Sequence, residues 1–183
     1  MKQEFAAARL DLKAFAQVGG ELSGHGELSE FERLLAETRG EGATLPLNWS
    51  AHGELKEALD GAAQIWLHVT ADTRAPLICQ RCLGSVTLDL EFSRSFRFVA
   101  NEATALAQDE LAEEEVLVLD QDFSLLDLIE DEFLMDLPVV PRHASCPVEV
   151  KLQAADPEFE IQPEKKVSPF AVLVGLSGKK QGL

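Results

Sequence analysis

The fold is decided by the stretch Leu77–Phe98, which reads LICQRCLGSVTLDLEFSRSFRF. From Val86 to Phe92 every second residue is apolar and the residues between are polar, a period typical of a half-buried β-strand. The alternation resumes at Phe96, but Arg94 occupies an apolar position between the two halves. We therefore expect a bulge, an edge or a functional opening at Arg94.

A pair of cysteines, Cys79 and Cys82, immediately precedes this strand. Two cysteines at this spacing can reach one metal ion from a tight turn, and Gly84 can supply the positive φ that such a turn often needs. His143 and Cys146 repeat the spacing later in the chain. Together the four residues form a Cys₃His set that suits tetrahedral Zn²⁺.

Two other interpretations of the cysteines stay open. The pair can simply be two small apolar residues at the end of a strand, without a ligand. A thioredoxin-like redox pair is the least favoured interpretation, because such cysteines sit at the N-terminus of a helix that lowers their pKa. Here the residues after Cys82 predict a strand.

The composition indicates one sizeable domain with a core, since the chain has 183 residues of which 46% are hydrophobic. No stretch approaches the roughly 20 apolar residues of a membrane span. Three cysteines are an odd number, which argues against a disulfide framework and for a reducing compartment. We expect a soluble cytoplasmic protein with no membrane partner and no small-molecule substrate.

The net charge of −16 is unevenly distributed. Residues 102–137 carry thirteen acidic side chains and no Lys or Arg, so the rest of the chain sums to −3. A strongly acidic protein does not attract RNA through its overall field, and any RNA contact needs a local patch. Segment 72–101 is slightly positive, and arginine can hold phosphates and stack on unpaired bases. We predict an RNA-facing patch formed by Arg74, Arg81, Arg94 and Arg97. The strand alternation indicates that at least the Arg97 side chain is exposed.

The remaining patterns predict an α+β fold. An antiparallel β-sheet, or a partly closed barrel, spans residues 45–119 and is flanked by two helices. Residues 1–150 form the single domain, and 151–183, rich in charge and proline, form a flexible linker and docking tail. A short strand near 9–12 and a helix or loop over 100–115 are weaker signals. The predicted strands are 45–51, 63–71, 86–98 and 116–119, and the predicted helices are 28–38 and 124–137.

The helix over 124–137 has the clearest boundaries, because Ser124 begins it as a cap and Pro138 stops it. Its polar face carries Asp127, Glu130 and Asp131. This face is either a solvated acidic surface or a docking surface for a basic partner.

The sequence lacks the phosphate-binding, dinucleotide-binding, nucleophile-elbow and zinc-protease motifs. Its acidic residues are plentiful, but no His, Lys or glycine loop accompanies them to define an acid/base pair. We therefore expect a non-enzymatic binding module with no catalytic residues.

Three blocks of the chain resemble the YceD family, the large ribosomal RNA subunit accumulation proteins of bacteria. They are Cys79-Gln-Arg-Cys82-Leu with its strand, the helix 124–137 running into Leu-Pro-Val-Val-Pro141 and His143, and Pro169-Phe-Ala-Val-Leu173. The resemblance implies a role in synthesis, processing or stability of 23S rRNA, with that RNA or its precursor particle as partner. It implies no known catalytic activity and no established cofactor.

The resemblance leaves metal binding open, because some relatives are richer in cysteine near the position of Cys146. Three outcomes stay open for this chain: the metal site is retained, it is lost, or His143 completes it. Two further functions stay as alternatives to a ribosome biogenesis factor. One is an acidic adaptor that binds a basic ribosomal or assembly protein, and the other is a CxxC thiol oxidoreductase.

Overall fold

The computed structural model describes residues 5–57, 61–110 and 112–150, which fall in a compact unit of residues 1–150. The predicted linker and docking tail, 151–183, lies outside the described residues, so the predicted division into domain and tail stays a prediction. No described helix is long and apolar enough to cross a membrane.

The architecture is an open five-stranded sheet with the strand order β1-β2-β3-β4-β5. The first four strands are antiparallel, and β5 lies parallel to β4 after a helical connection. The α+β class is confirmed, although the sheet begins earlier in the chain than predicted and two further helices are present. The elements are α1 Leu12–Gln17, β1 Glu21–Glu27, a 3-10 turn Leu28–Glu30, α2 Glu32–Glu37, β2 Pro46–Glu57, β3 Ala63–Ile78, β4 Ser85–Val99, α3 Glu102–Asp109, β5 Glu115–Val118 and α4 Leu125–Asp136.

The long hairpin of β3 and β4 is the centre of the sheet. Its register runs without interruption from the pair Ile65 and Phe98 to the pair Ile78 and Ser85. Of the bulge, edge or opening expected at Arg94, the bulge is therefore wrong, whereas Arg94 does lie on an edge of the described sheet, because β5 pairs only with Phe96–Val99. The Arg94 side chain stays on the helix-covered face of the sheet. There its Nε lies 2.8 Å from Oε2 of a nearly buried glutamate on α4. This counter-charge lets an arginine occupy an apolar position without breaking the strand.

The hydrophobic core lies between one face of the sheet and the helices. Phe15 of α1 and Phe133 of α4 are fully buried, as is Phe96 of β4. The rings of Phe92 and Phe133 meet edge to face with centroids 5.0 Å apart, a favoured aromatic geometry. The opposite face of β1–β4 carries polar side chains, so the predicted in-and-out alternation places the core correctly.

Strand β1 was not predicted because its glycines resemble loop punctuation. A Cβ on Gly24 would lie 2.4 Å from the indole of Trp49, so a strand can pass this tryptophan only with glycine at that position. The strand predicted near residues 9–12 is also wrong. Leu12 begins α1, and Asp11 caps it by accepting a hydrogen bond from the Ala14 N–H at 2.9 Å.

The helix predicted over 124–137 is confirmed as α4, and Ser124 accepts a hydrogen bond from the Asp127 N–H at 3.2 Å. The helix predicted over 28–38 is present as two pieces, the 3-10 turn and α2. Residues 100–115 contain α3, which carries the chain from β4 to the parallel strand β5.

Candidate metal centre

The connection between β3 and β4 forms a tight turn that aims two thiols at one point. The Cys79 N–H donates to the Gly84 carbonyl at 2.9 Å, and the Leu83 N–H donates to the Cys79 carbonyl at 2.8 Å. The positive φ that the turn needs is provided by Leu83, at 60°, and not by Gly84 as predicted. An exposed leucine in this strained region indicates that the surrounding bonds determine the turn.

The segment after α4 brings the second ligand pair to the same turn. Pro138 prevents continuation of the helix, and the chain runs on to Pro141, whose carbonyl accepts a hydrogen bond from the Gln80 N–H at 2.8 Å. This bond holds the segment beside the cysteine turn. His143 and Cys146 follow within five residues of it.

The structure brings the four predicted ligands together. One ligand atom from each residue lies within 4.8 Å of the other three. The Sγ atoms of Cys79 and Cys146 are 3.9 Å apart, and Cys82 Sγ lies 3.4 Å from Nδ1 of His143. A tetrahedral zinc ion with bonds of about 2.3 Å to sulfur and 2.0 Å to nitrogen spaces its ligands by about 3.5–3.8 Å. The cluster therefore has the dimensions of a metal site, and all three cysteines are free thiols.

A hydrogen bond outside the cluster orients the histidine. Nε2 of His143 lies 3.0 Å from the carbonyl oxygen of Ser85, so Nε2 carries the proton and donates it to that oxygen. Nδ1 faces Cys82 and is the ring nitrogen that remains to bind a metal. Metal-binding histidines are commonly fixed in this way by a backbone carbonyl.

Arg81, which was predicted to face RNA, is also bound to the cluster. Its Nε donates to Cys146 Sγ at 3.0 Å, and its Nη2 donates to the His143 carbonyl at 2.7 Å. The guanidinium therefore joins the cysteine turn to the second ligand segment. Its positive charge also offsets part of the negative charge that thiolate ligands would bring.

The thiols of the cluster have shifted acidities. Burial raises the pKa of Cys79, but the backbone N–H groups of Cys82, His143 and Arg81 outweigh this and lower the pKa to about 5. The Gly84 N–H lowers the pKa of Cys82, yet burial and the two neighbouring thiols raise it overall. One thiolate thus forms readily while a second nearby is disfavoured, so a cation is the partner that would allow several thiolates together.

A family model described as "Large ribosomal RNA subunit accumulation protein YceD" matches residues 67–177, which include all four cluster residues. The chain belongs to the YceD family. It is 38% identical over 109 residues to a protein of that name from Haemophilus influenzae, an alignment that covers 56% of this chain and 60% of the relative. The chain thus spans about 60% of that relative's length, and no solved structure matches it. The predicted membership of the YceD family is confirmed.

The predicted RNA-facing arginines do not form one open patch. Arg97 is only 7% exposed and bonds to Glu114 and Gln108, so the expectation that its guanidinium is exposed is wrong. Helix α3 and the segment after it cover this part of the outer face, because a parallel strand needs a long crossover connection. Arg94 pairs with a buried carboxylate on the opposite face. Arg74 is exposed, and an RNA contact by any of these arginines stays a prediction.

The acidic face of α4 also differs from the prediction. Glu130 is buried, and its carboxylate accepts hydrogen bonds from the backbone N–H groups of Arg33 at 2.7 Å and Leu34 at 3.2 Å. It thereby caps the N-terminus of α2 from a neighbouring helix, so its assignment to an exposed acidic face is wrong. Asp127 and Asp131 are exposed, and a docking role for these two stays a prediction.

The sequence analysis missed a network of ion pairs. In the part of the chain that the structure describes, each arginine that forms an ion pair has its acidic partner in the segment 102–137. The only signal for this network was the absence of Lys and Arg from a segment with thirteen acids, which must find their counter-charges elsewhere. The pairs are Arg9 with Asp122, Arg33 with Glu130 and Asp131, Arg94 with Glu132, and Arg97 with Glu114.

Proposed function

We propose that this protein supports the accumulation of 23S rRNA during assembly of the large ribosomal subunit in the cytoplasm, by binding and without catalysis. Membership of the YceD family carries this proposal, together with a relative whose name states large ribosomal RNA subunit accumulation. The 23S rRNA or its precursor particle is the proposed partner.

We further propose that the cluster binds one Zn²⁺ ion. Three thiols and one imidazole within 4.8 Å of one another match the donor set of structural zinc sites. Bound zinc would act as a cross-link that fixes the turn between β3 and β4 to the segment after α4. Cys79, Cys82, His143 and Cys146 would hold the ion, and Arg81 would position the second ligand pair.

Elemental analysis of protein purified without chelator tests the zinc proposal directly. We expect one zinc per chain, and a fall in the unfolding temperature when a strong chelator removes it. The His143→Ala variant should bind zinc much more weakly, whereas Gln80→Ala, an exposed change in the same turn, should bind normally. Metal-free protein of unchanged stability would overturn the proposal. It would leave a thiol oxidoreductase as the better account if the thiols also cycled to a disulfide.

The biological role is tested by complementation. Cells that lack the gene should have a low ratio of 23S to 16S rRNA, and the wild-type chain should restore it. A normal ratio in the deletion strain would refute the role. Restoration by His143→Ala at wild-type protein levels would separate the role from zinc binding.

A further inference from the structure

In the part of the chain that the structure describes, one edge of β4 is left open over most of its length. The strand runs from Ser85 to Val99, but β5 pairs only with Phe96–Val99. The preceding residues of β4 therefore have β3 on one side and, among the described residues, no strand on the other. Native proteins seldom leave so long an edge without a function or a protective device.

The register shows which backbone groups face this edge. Cys79 and Gly84 form a hydrogen-bonded pair at the start of the hairpin, and bonded and non-bonded pairs alternate along an antiparallel ladder. Even-numbered residues of β4 therefore bond to β3, and odd-numbered residues point away from it. Two bonds agree with this assignment, since the carbonyl of Val99 accepts from Leu119 on the β5 side, and that of Ser85 accepts from His143.

Both ends of the edge are thus occupied, and its middle has no partner in the described part of the chain. Within residues 5–57, 61–110 and 112–150, no group bonds to the outward N–H and C=O of four alternate residues. Their side chains are all exposed on the outer face of the sheet. These residues, which we call the β4 edge, are Thr87, Asp89, Glu91 and Ser93.

The charge beside the edge is negative. Asp89 and Glu91 lie in its middle, and three consecutive glutamates, residues 113–115, line a cavity beside Arg94 at the end where β5 begins. Arg94 is neutralised by its partner on α4. A further cation among the described residues is Arg74, which is in register with Asp89 on β3. RNA phosphates would be repelled here, and a second copy of the edge would bring like charges together.

We propose that the β4 edge binds an extended, lysine- or arginine-rich segment of another protein as an added β-strand. Main-chain bonds to the four outward residues would supply affinity, as in other cases of strand addition. Basic side chains on the outer face of the added strand would lie beside Asp89 and Glu91. The identity of the partner as a ribosomal or assembly protein rests on the proposed function, whereas the binding chemistry does not.

The test uses the full chain and an acetylated ten-residue peptide of alternating Lys and Thr. We expect saturable binding at low salt that weakens as salt is added. Amide exchange measured by NMR should slow at least tenfold at residues 87, 89, 91 and 93, and change little at the even-numbered residues that already bond to β3. A control peptide with an N-methyl group on every residue keeps its charge but has no backbone N–H to donate from either edge, so it cannot pair as a strand.

Matched variants separate local charge from total charge. The double variant Asp89→Asn and Glu91→Gln should bind the Lys-Thr peptide about fivefold more weakly, by analogy with exposed ion pairs. The double variant Glu41→Gln and Glu57→Gln removes the same charge at exposed positions away from the edge, and it should bind within twofold of wild type.

Three results would overturn the proposal: no saturable binding, equal binding of the N-methylated peptide, or protection of the edge by a ten-residue oligouridine but not by the peptide. If no saturable binding is found, Asp89 and Glu91 would serve only to prevent aggregation through the exposed strand edge. Failure of the peptide test would not bear on the ratio of 23S to 16S rRNA, which tests the proposed function. A normal ratio in the deletion strain would refute the proposed function and not this inference.

Discussion

Glu130→Gln tests the conclusion that an acid from the predicted docking face is a structural cap. The carboxylate of Glu130 is 10% exposed and accepts two backbone hydrogen bonds from the first turn of α2, with a third bond from the Arg33 guanidinium at 2.8 Å. An amide can retain an acceptor at this position, but it loses the negative charge at the helix N-terminus.

The expected cost follows from these bonds. A hydrogen bond to a charged group contributes roughly 1.5–3 kcal/mol and a neutral one about 1 kcal/mol, so two weakened bonds predict a loss of about 2 kcal/mol. For a domain of this size that loss lowers the unfolding temperature by about 4–8 °C. Urea unfolding followed by the fluorescence of Trp49 and Trp66 measures it at fixed metal content.

Asp131→Asn is the matched control, because Asp131 pairs with the same arginine but is 53% exposed. Surface substitutions of this kind usually change stability by less than about 0.5 kcal/mol. Since the two backbone bonds do not involve the guanidinium, Glu130→Gln should stay costly in an Arg33→Ala background. Equal effects of Glu130→Gln and Asp131→Asn, or loss of the Glu130 effect in that background, would refute the cap.

Three further outcomes are expected. Burial raises the pKa of Glu132 despite the attraction of Arg94, so stability falls as pH rises from the unfolded pKa of this carboxyl to its higher folded pKa. In urea unfolding, Arg94→Gln should enlarge this loss of stability, and adding Glu132→Gln should abolish the enlargement. Arg81→Lys should weaken zinc affinity about tenfold in chelator competition while leaving one zinc per chain at saturation; unchanged affinity would refute its positioning role. Arg97→Gln should lower the unfolding temperature, because it leaves Glu114 without its partner; an unchanged value would contradict the burial of that pair.

The hairpin, α4 and the ligand cluster could be predicted because each depends on a local pattern. The alternation from Val86 to Phe98 fixes which residues face the core, and Ser124 with Pro138 fixes both ends of α4. The spacing of the two ligand pairs gave the composition of the cluster. The spacing could not show that the two ligand pairs meet, because this depends on the hydrogen bond between the Gln80 N–H and the Pro141 carbonyl, about sixty residues apart.

The errors arose where a residue's role is decided by a distant neighbour. Gly24 resembled a loop residue because the tryptophan that excludes a side chain there lies on the next strand. Arg97 was expected to be exposed because alternation alone cannot show that a helix covers the outer face. Glu130 was expected on the surface because its backbone hydrogen-bond donors lie ninety-seven and ninety-six residues earlier in the chain.

The ion-pair network also changes what the net charge of −16 means for binding. Acids of the segment 102–137 pair with arginines from β4 and from the N-terminal part of the fold, so those arginines stabilise contacts between elements. An RNA contact by the β4 arginines stays a prediction. Among the described acids that form no ion pair, Asp89 and Glu91 lie on β4. The same strand begins at Ser85, whose carbonyl orients the histidine of the metal cluster. Metal binding should therefore fix the first residues of β4, which lie next to the β4 edge that we propose for a basic partner.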